Sequence, residues 1–547
     1  MLRLLILFCP LALTAQAAMQ PPADSALTAL LMADIPAGGP GGAVGVVHGG
    51  KVIYSHYGGL ADLDTGREIG PQTRFNIAST AKQFTALCIL RLADQSQLSL
   101  QDNIRTYLPE WKADGEGAVK ISHLLNHTSG IRDVYNLWSL RGLTWWELPL
   151  TNRDAYEMLI QQTELNFDPG SQYLYSNSNF LLLTEIVARV SGQAFADYAA
   201  QLFADLGMPD TRFAADHTER IPNLARPYFN FATWQTYDLL TDLHGDGALF
   251  TTLPDQLRYE SLLQHSGELP EDLVRILTQS QELPSDQVDG YGYGVEHTEY
   301  RGLPMRFHDG STGAWKASFR RFPGQDLAVF VLNNSGKFFA SDLARDVVDV
   351  LLAPQFTGDR YPSVPDGDTK GSVQTPEGLY GVTQGFVIKI ARGAGAKLTL
   401  ERFGRPPIDL IPVRPGVYRE ATDTTFYQQF ARDADGHQQI TLFHPSHPPY
   451  SLDAFPSDKH ASTPCPVFAE GKWTNQETGA AVNLISVDSA VQLVLHGDTL
   501  RTEHFAPGLY LTPGYVWLCA ERDGSPGLFL FDDRLRWVRF RRKESAP

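Results

Sequence analysis

Phe75-Asn76-Ile77-Ala78-Ser79-Thr80-Ala81-Lys82 decides how the rest of the chain is read. It places a hydroxyl and an amine three residues apart at the entry to a helix, an offset at which side chains project from one side, a turn apart. An alcohol is a poor nucleophile at neutral pH, so a base within hydrogen-bond reach is what Ser79 requires and what Lys82 offers. Taken alone, the pair also fits an N-cap serine followed by a solvated lysine. The residues beyond argue against that: Phe84, Leu87, Cys88, Leu90 and Leu92 make a largely buried helix, a rigid platform for both groups. No other lysine follows a serine at this spacing.

The chain has 547 residues, 43% of them hydrophobic and 20% charged, which describes a soluble protein of two or three domains. A net charge of −17 repels nucleic-acid phosphates and anionic membrane surfaces, so neither is an expected partner. Arg539-Phe540-Arg541-Arg542-Lys543 is read as the charged end of a last strand. Met1-Leu2-Arg3, the apolar run Leu4 to Leu13, and Ala15-Gln16-Ala17 have the three parts of a secretory signal peptide, cleaved after Ala17. Export to the periplasm or medium follows, and no later run is long enough to span a membrane. In an oxidising compartment Cys465 and Cys519 are candidates for a disulfide, while Cys88 reads as an inert core thiol.

Residues 18–353 read as an α+β unit. Ala43 to Tyr57 forms a hairpin ahead of the Ser79 helix, and helices follow at Tyr156 to Gln162 and Phe180 to Leu206. Strands return at Leu303 to His308, Trp315 to Arg321 and Leu327 to Asn333, with turns at Gly310 and Pro323-Gly324, before a helix from Ser341 to Leu352. Strands at both ends with helices between imply one antiparallel sheet flanked by helices. A Pro-, Gly-, Asp-, Thr- and Ser-rich linker spans 354–376. Beyond it only short alternating strands remain, at Phe386 to Ile390, Lys397 to Phe403, Thr425 to Phe430 and Gln439 to Phe443. Glu377-Gly378-Leu379-Tyr380 recurs as Glu470-Gly471-Lys472-Trp473. The expectation is two antiparallel β-barrel domains, 377–465 and 466–547, of roughly eight strands each.

Two further motifs join the first. Asp168-Pro169-Gly170 leads into Tyr175-x-Asn177 before a helix, and His308-x-Gly310-Ser311 closes a strand. Tyr228-Phe229-Asn230 and His48-Gly49-Gly50 match the same short patterns, so order and context choose between them. Taken in order, Ser79-x-x-Lys82, Tyr175-x-Asn177 and His308-x-Gly310 resemble the motifs of the serine beta-lactamase and penicillin-binding-protein superfamily, with His308 where many members carry lysine. Ile121-Ser122-His123-Leu124-Leu125-Asn126-His127-Thr128-Ser129-Gly130 and Leu206-Gly207-Met208-Pro209-Asp210-Thr211 extend the resemblance over about residues 40 to 350. The i, i+4 pair His123 and His127 mimics a zinc helix but has no acidic residue between to act as base, and it is read as structural. Trp138, Trp145 and Trp146 are read as packing residues near the cleft.

The resemblance implies acyl transfer through a covalent acyl-enzyme on Ser79, with Lys82 and Tyr175 sharing the proton work and no metal or cofactor. It also implies an oxyanion hole from the Ser79 and Ser311 amides, each contributing about 3 kcal/mol, with Asn177, Gly310 and Ser311 aligning the substrate. His308 is mostly neutral near pH 7 and holds a carboxylate less firmly than an ammonium does. A His-x-Gly motif followed by two barrels is similar to the D-aminopeptidases within this superfamily, in which a loop of the last barrel enters the cleft; Thr502 to Leu511, with Glu503, is the segment proposed for that part. The expected function is therefore a secreted, D-aminopeptidase-like serine hydrolase acting on small peptides. The alternatives are an esterase or beta-lactamase, a D,D-carboxypeptidase, and a non-catalytic module binding peptidoglycan or another ligand. A homodimer is the oligomeric option.

Overall fold

The computed structural model describes residues 24–360 and 376–543, apart from 114–116, 215, 238–239, 241, 268, 394–396, 424, 434–435, 445–446, 456–462, 465–469, 488–489, 507 and 523–524. The signal-peptide stretch, most of the linker and Cys465 lie outside the described residues.

Seven antiparallel strands form the central sheet, in the order Tyr291–Gly292, Val295–Tyr300, Leu303–Thr312, Trp315–Phe322, Leu327–Asn333, Gly42–His48 and Lys51–Gly58. The first hairpin of the chain thus pairs with the last strand of the unit, Val44 opposite Val331. Both faces of these central strands are covered, which is why Gly42–His48 and Leu327–Asn333 read as near-continuous apolar runs. On one face Val44, Val46, Val329 and Val331 pack on the helices Asp24–Ala33 and Ala340–Leu352. On the other, Ala43, Val47, Phe330 and Leu332 join the core built around the helix Lys82–Asp94.

Two expectations are corrected here. The helix expected from Phe180 to Leu206 is two helices, Asn177–Ser191 and Phe195–Asp205, because Gly192 takes a left-handed conformation (φ 70°) and caps the first. No turn forms at Gly310: the strand runs on through it to Thr312, and the chain reverses at Gly313.

Both C-terminal units are all-β. Eight strands from Gly378–Tyr380 to His447–Phe455 close into a barrel around Tyr380, Ile390, Leu400, Phe430 and Ile440. The second is a ten-stranded antiparallel sheet that curls as a half-barrel, its path running from Asp498–Leu500 through Gly471–Thr474 and Val538–Arg542 to Glu503–Ala506. The repeated motif opens the first strand of the closed barrel and the strand Gly471–Thr474 of the second unit, and Leu400 and Leu493 occupy equivalent core positions. Cys519 in this last sheet is disulfide-bonded, and Cys88 is a free, buried thiol.

Candidate active site

Ser79 lies on a 3-10 turn, Ala78–Ala81, that feeds directly into the helix beginning at Lys82. Ala78 before it takes φ +47°, costly for a residue with a side chain, and Asn76 Oδ1 holds the turn by accepting the Ala78 N–H at 2.9 Å. A second brace comes from below. Arg321 forms a buried bidentate pair with Glu260, both contacts 2.7 Å, and donates to Gln83 Oε1. Gln83 in turn donates to Thr80 O at 3.0 Å.

Lys82 is fully buried. Its Nζ lies 3.1 Å from Ser79 Oγ, 2.9 Å from Asn177 Oδ1 and 2.6 Å from the Asp246 carbonyl. Burial pulls its ammonium down to about 8, assisted by Arg534 and opposed by Asp246 and Asp133. Tyr175 stands on the other side of the serine, its phenol hydrogen-bonded to Ser79 and its ring 4.9 Å from Lys82 Nζ. Burial raises the phenol above its ordinary range, while the Ser79 bond and Arg534 work the other way. Of the two neighbours of Ser79, the amine is the one poised near neutral pH.

Asn177 opens the helix Asn177–Ser191 and is oriented by Asp133, whose buried carboxylate accepts both the Asn177 backbone N–H (2.7 Å) and its Nδ2 (3.0 Å). Because that carboxylate accepts only, the Asn177 amide must present Oδ1 to Lys82.

The third motif approaches through backbone. A Cβ on Gly310 would fall 2.3 Å from Ile77 O and 3.2 Å from Ser79 N, so only glycine lets this strand close on the serine turn. Ser311 follows at the cleft rim, its hydroxyl taken by Lys316 on the neighbouring strand. His308 stays behind the cleft. Its Nδ1 bonds the Asp309 carbonyl at 2.7 Å and must therefore carry the proton, leaving Nε2 to accept from Tyr291 at 3.1 Å. Burial and the Lys82 charge bring its imidazole down to about 4, so it is neutral with both nitrogens engaged.

His127, buried in a left-handed conformation (φ +55°), lies tilted against the Tyr175 ring with centroids 4.3 Å apart and accepts from Ser176 N and Asn179 Nδ2. His123 caps its own helix instead of pairing with it. Tyr228 of the decoy motif accepts the Leu63 N–H, remote from Ser79. Trp138 is core, while Trp145 lines the cleft against Tyr135.

The cleft beside Ser79 encloses about 370 Å³. Its roof comes from the far end of the chain: Asp533 and Arg534, in the turn before the last strand, line it together with Tyr135, Asn177, Asp246 and Ser311. Arg534 reaches Asp133 Oδ2 at 3.4 Å and lies over the Tyr175 ring at 5.3 Å. Asn136 donates to Asp532 and Asp533, Asn166 accepts the Arg536 N–H, and buried Arg132 pairs with Glu477 at 2.5 Å. Among the described residues of the expected loop, Thr502 to Leu511, none lines the cleft: Glu503 pairs with Arg501 and accepts the Gly404 N–H, at the seam between the two C-terminal units. Asp133, Tyr135, Asp246 and Arg534 were not singled out from sequence; only Asp133 had a signal, three residues beyond the Ile121 to Gly130 signature.

A serine hydroxyl beside a buried amine and a phenol, on a sheet-and-helix scaffold, is the arrangement a serine hydrolase requires. The family model for Beta-lactamase matches residues 29–353, more than half of the chain, and the protein belongs to that family as a serine hydrolase. D-aminopeptidase from Gluconobacter oxydans is 27% identical over 355 residues, 63% of this chain and 62% of its own. D-aminopeptidase from Brucella ovis is 28% identical over 57% of this chain and 60% of its own. The chain thus spans about 60% of the length of the curated relatives it matches. Among solved structures, the octameric penicillin-binding protein homologue from Pyrococcus abyssi aligns with TM-score 0.54 and 21% identity, over 79% of this chain and 98% of its own. SurE with D-Leu aligns with TM-score 0.55 and 20% identity, over 79% and 99%.

Proposed function

We propose that the protein is an exported D-aminopeptidase-like hydrolase that releases N-terminal D-residues from small peptides through an acyl-enzyme on Ser79. The observation that carries this reading is the turn from the last sheet over the cleft: it narrows the site to a short acyl group and brings Asp246 and Asp533 to line a hollow whose one arginine is shared between Asp133 at 3.4 Å and Asp533 at 3.8 Å. Such a wall suits a substrate bearing an ammonium and repels one bearing a free carboxylate beside the reacting carbonyl. His308, neutral and fully engaged, adds no cation to offset it.

In this mechanism Lys82 takes the Ser79 proton as Oγ attacks the carbonyl, and the oxyanion is met by the Ser79 and Ser311 amides. Tyr175, held in its protonated form, relays the proton to the leaving amine; a water then attacks the ester as the same groups act in reverse. Asn177 and the strand edge after Gly310 align the substrate amide. Export rests on the N-terminal apolar run, and N-terminal sequencing of the secreted protein is expected to begin at Ala18. Turnover of paired D- and L-alanyl anilides, a short-chain nitrophenyl ester and a chromogenic cephalosporin tests the reading. Selective turnover of the D-anilide, lost in Ser79→Ala, supports it, and turnover of the ester alone overturns it.

A further inference from the structure

The cleft does not end beside Ser79. A second hollow of about 260 Å³ shares Asn76, Leu243 and Ala248 with it and lies on the other side of the segment 243–250. Its walls combine an apolar side, from Ile221, Leu224, Phe250 and Trp315, with a polar one that includes Asp242, His244 and Arg226. The one polar atom of the Trp315 ring is turned away, bonded to Ala225 O at 2.7 Å. The charged groups that line it are paired locally: His217 with Asp242 at 2.8 Å, Glu219 with Arg212, Arg226 with Asp64, and Asp216 with Thr218. What remains is a chamber suited to an apolar side chain.

The same segment gives the first hollow a carboxylate. Asp246 is buried, and its Oδ2 accepts from Tyr135 at 2.8 Å. Its backbone carbonyl holds the Lys82 amine, which itself lies 3.1 Å from Ser79 Oγ. An α-ammonium sits only two bonds from the carbonyl carbon that Ser79 attacks, so its partner must lie within a few ångströms of the nucleophile. Asp246 lines the same hollow as Ser79, and its own carbonyl rests on the amine beside the nucleophile. Asp533, largely exposed, bonded to Asn136 and paired with Arg534 at 3.8 Å, stands at the mouth. The ammonium and the side chain diverge from one carbon, and the segment that carries Asp246 also separates the two hollows.

We propose that Asp246 holds the α-ammonium of the residue whose carbonyl Ser79 attacks, and that this residue's apolar side chain passes Leu243 and Ala248 into the chamber floored by Phe250 and Trp315. The substrate class is then N-terminal D-residues with large aliphatic or aromatic side chains. This rests on the aminopeptidase reading and deepens it.

The test compares kcat/KM of the full-length protein on D-Ala, D-Leu and D-Phe anilides and on their des-amino counterparts, for the wild type, Asp246→Asn and Ile221→Trp. The wild type is expected to favour D-Leu or D-Phe over D-Ala by at least about tenfold, the discrimination a few buried methylenes supply. Ile221→Trp, which fills the chamber, is expected to collapse that ratio. Leu224→Ala, which enlarges the chamber, is expected to raise it for D-Phe and keeps the chamber testable if the tryptophan variant melts early. Asp246→Asn is expected to raise KM for aminoacyl substrates by about tenfold or more and to erase their advantage over the des-amino series. A wild type that prefers D-Ala, or an Ile221→Trp variant that slows all substrates alike, overturns the chamber while leaving the aminopeptidase reading intact. An Asp246→Asn variant that slows both series equally, or only moves the acid limb of the pH profile, places Asp246 on Lys82 and overturns the ammonium assignment. Absence of any D-anilide turnover beside active ester hydrolysis overturns both readings.

Discussion

The two C-terminal β units carry the same short motif and use matching core positions, yet they stand in opposite relations to the chemistry. The first closes its ladder on itself, and its core of Tyr380, Phe430 and Ile440 forms a cluster of its own. The second curls as a half-barrel; its core residues Trp473, Trp517 and Leu535 are continuous with the catalytic core, and it sends Asp533 and Arg534 into the cleft. One repeat has thus become a spacer and the other a wall of the active site. A closed ladder leaves little to offer a neighbour, whereas an open one docks through loops and unpaired faces.

That contrast can be broken in graded steps. The reference is the chemistry itself: Ser79→Ala is expected to lower kcat by about 10⁶-fold without lowering the melting temperature, seen as loss of anilide turnover and of fluorophosphonate labelling. Next, Phe430→Ala in the closed barrel is expected to cost about 3 to 5 kcal/mol in denaturant unfolding of that unit yet leave kcat/KM of the folded protein unaltered; a parallel loss of activity would show that the spacer is coupled to the site. Arg534→Ala, from the other unit, reverses the pattern: stability changes little, and kcat/KM falls about tenfold as Asp133 and the Tyr175 ring lose their guanidinium cover.

Smaller effects sharpen the same divide through pH. Activity is expected to rise through about 8 as Lys82 loses its proton. Because the Arg534 charge helps to lower that amine, Arg534→Ala should move the acid limb to higher pH, and a barrel variant such as Phe430→Ala should not move it. The smallest effect concerns Asp532, whose carboxyl burial lifts to about 7. Its folded value lies above its unfolded one, so its contribution is fully present below about 4 and is lost as pH rises through about 7. Asp532→Asn should flatten that part of the stability profile, read by denaturant unfolding between about pH 4 and pH 7.

Much of this was legible in the sequence because it is local. Ser79 and Lys82 are three residues apart, Tyr175 and Asn177 two, and each pair is delivered by one turn of chain. The sheet was legible for a related reason: apolar runs at both ends of the first unit can be buried only against each other. What escaped depends on distance along the chain. Asp133 meets Arg534 across about 400 positions, and no periodicity marks such a pair. Strand patterns place the cleft-entering segment at Thr502 to Leu511, three turns too early, because they reveal where loops fall but not which end of a sheet faces a neighbour. The helix break at Gly192 was missed since apolar spacing continues on both sides of it; the glycine and its left-handed conformation end the helix where propensity alone would not.

The three contacts around the Lys82 amine have one more consequence. Asn177 Oδ1 and the Asp246 carbonyl can only accept, so each claims an N–H, and a deprotonated amine has just two to give. The electron pair freed by deprotonation is therefore left pointing at the hydroxyl of Ser79. Its aim is set by two oxygens that take no part in bond making, before any substrate arrives.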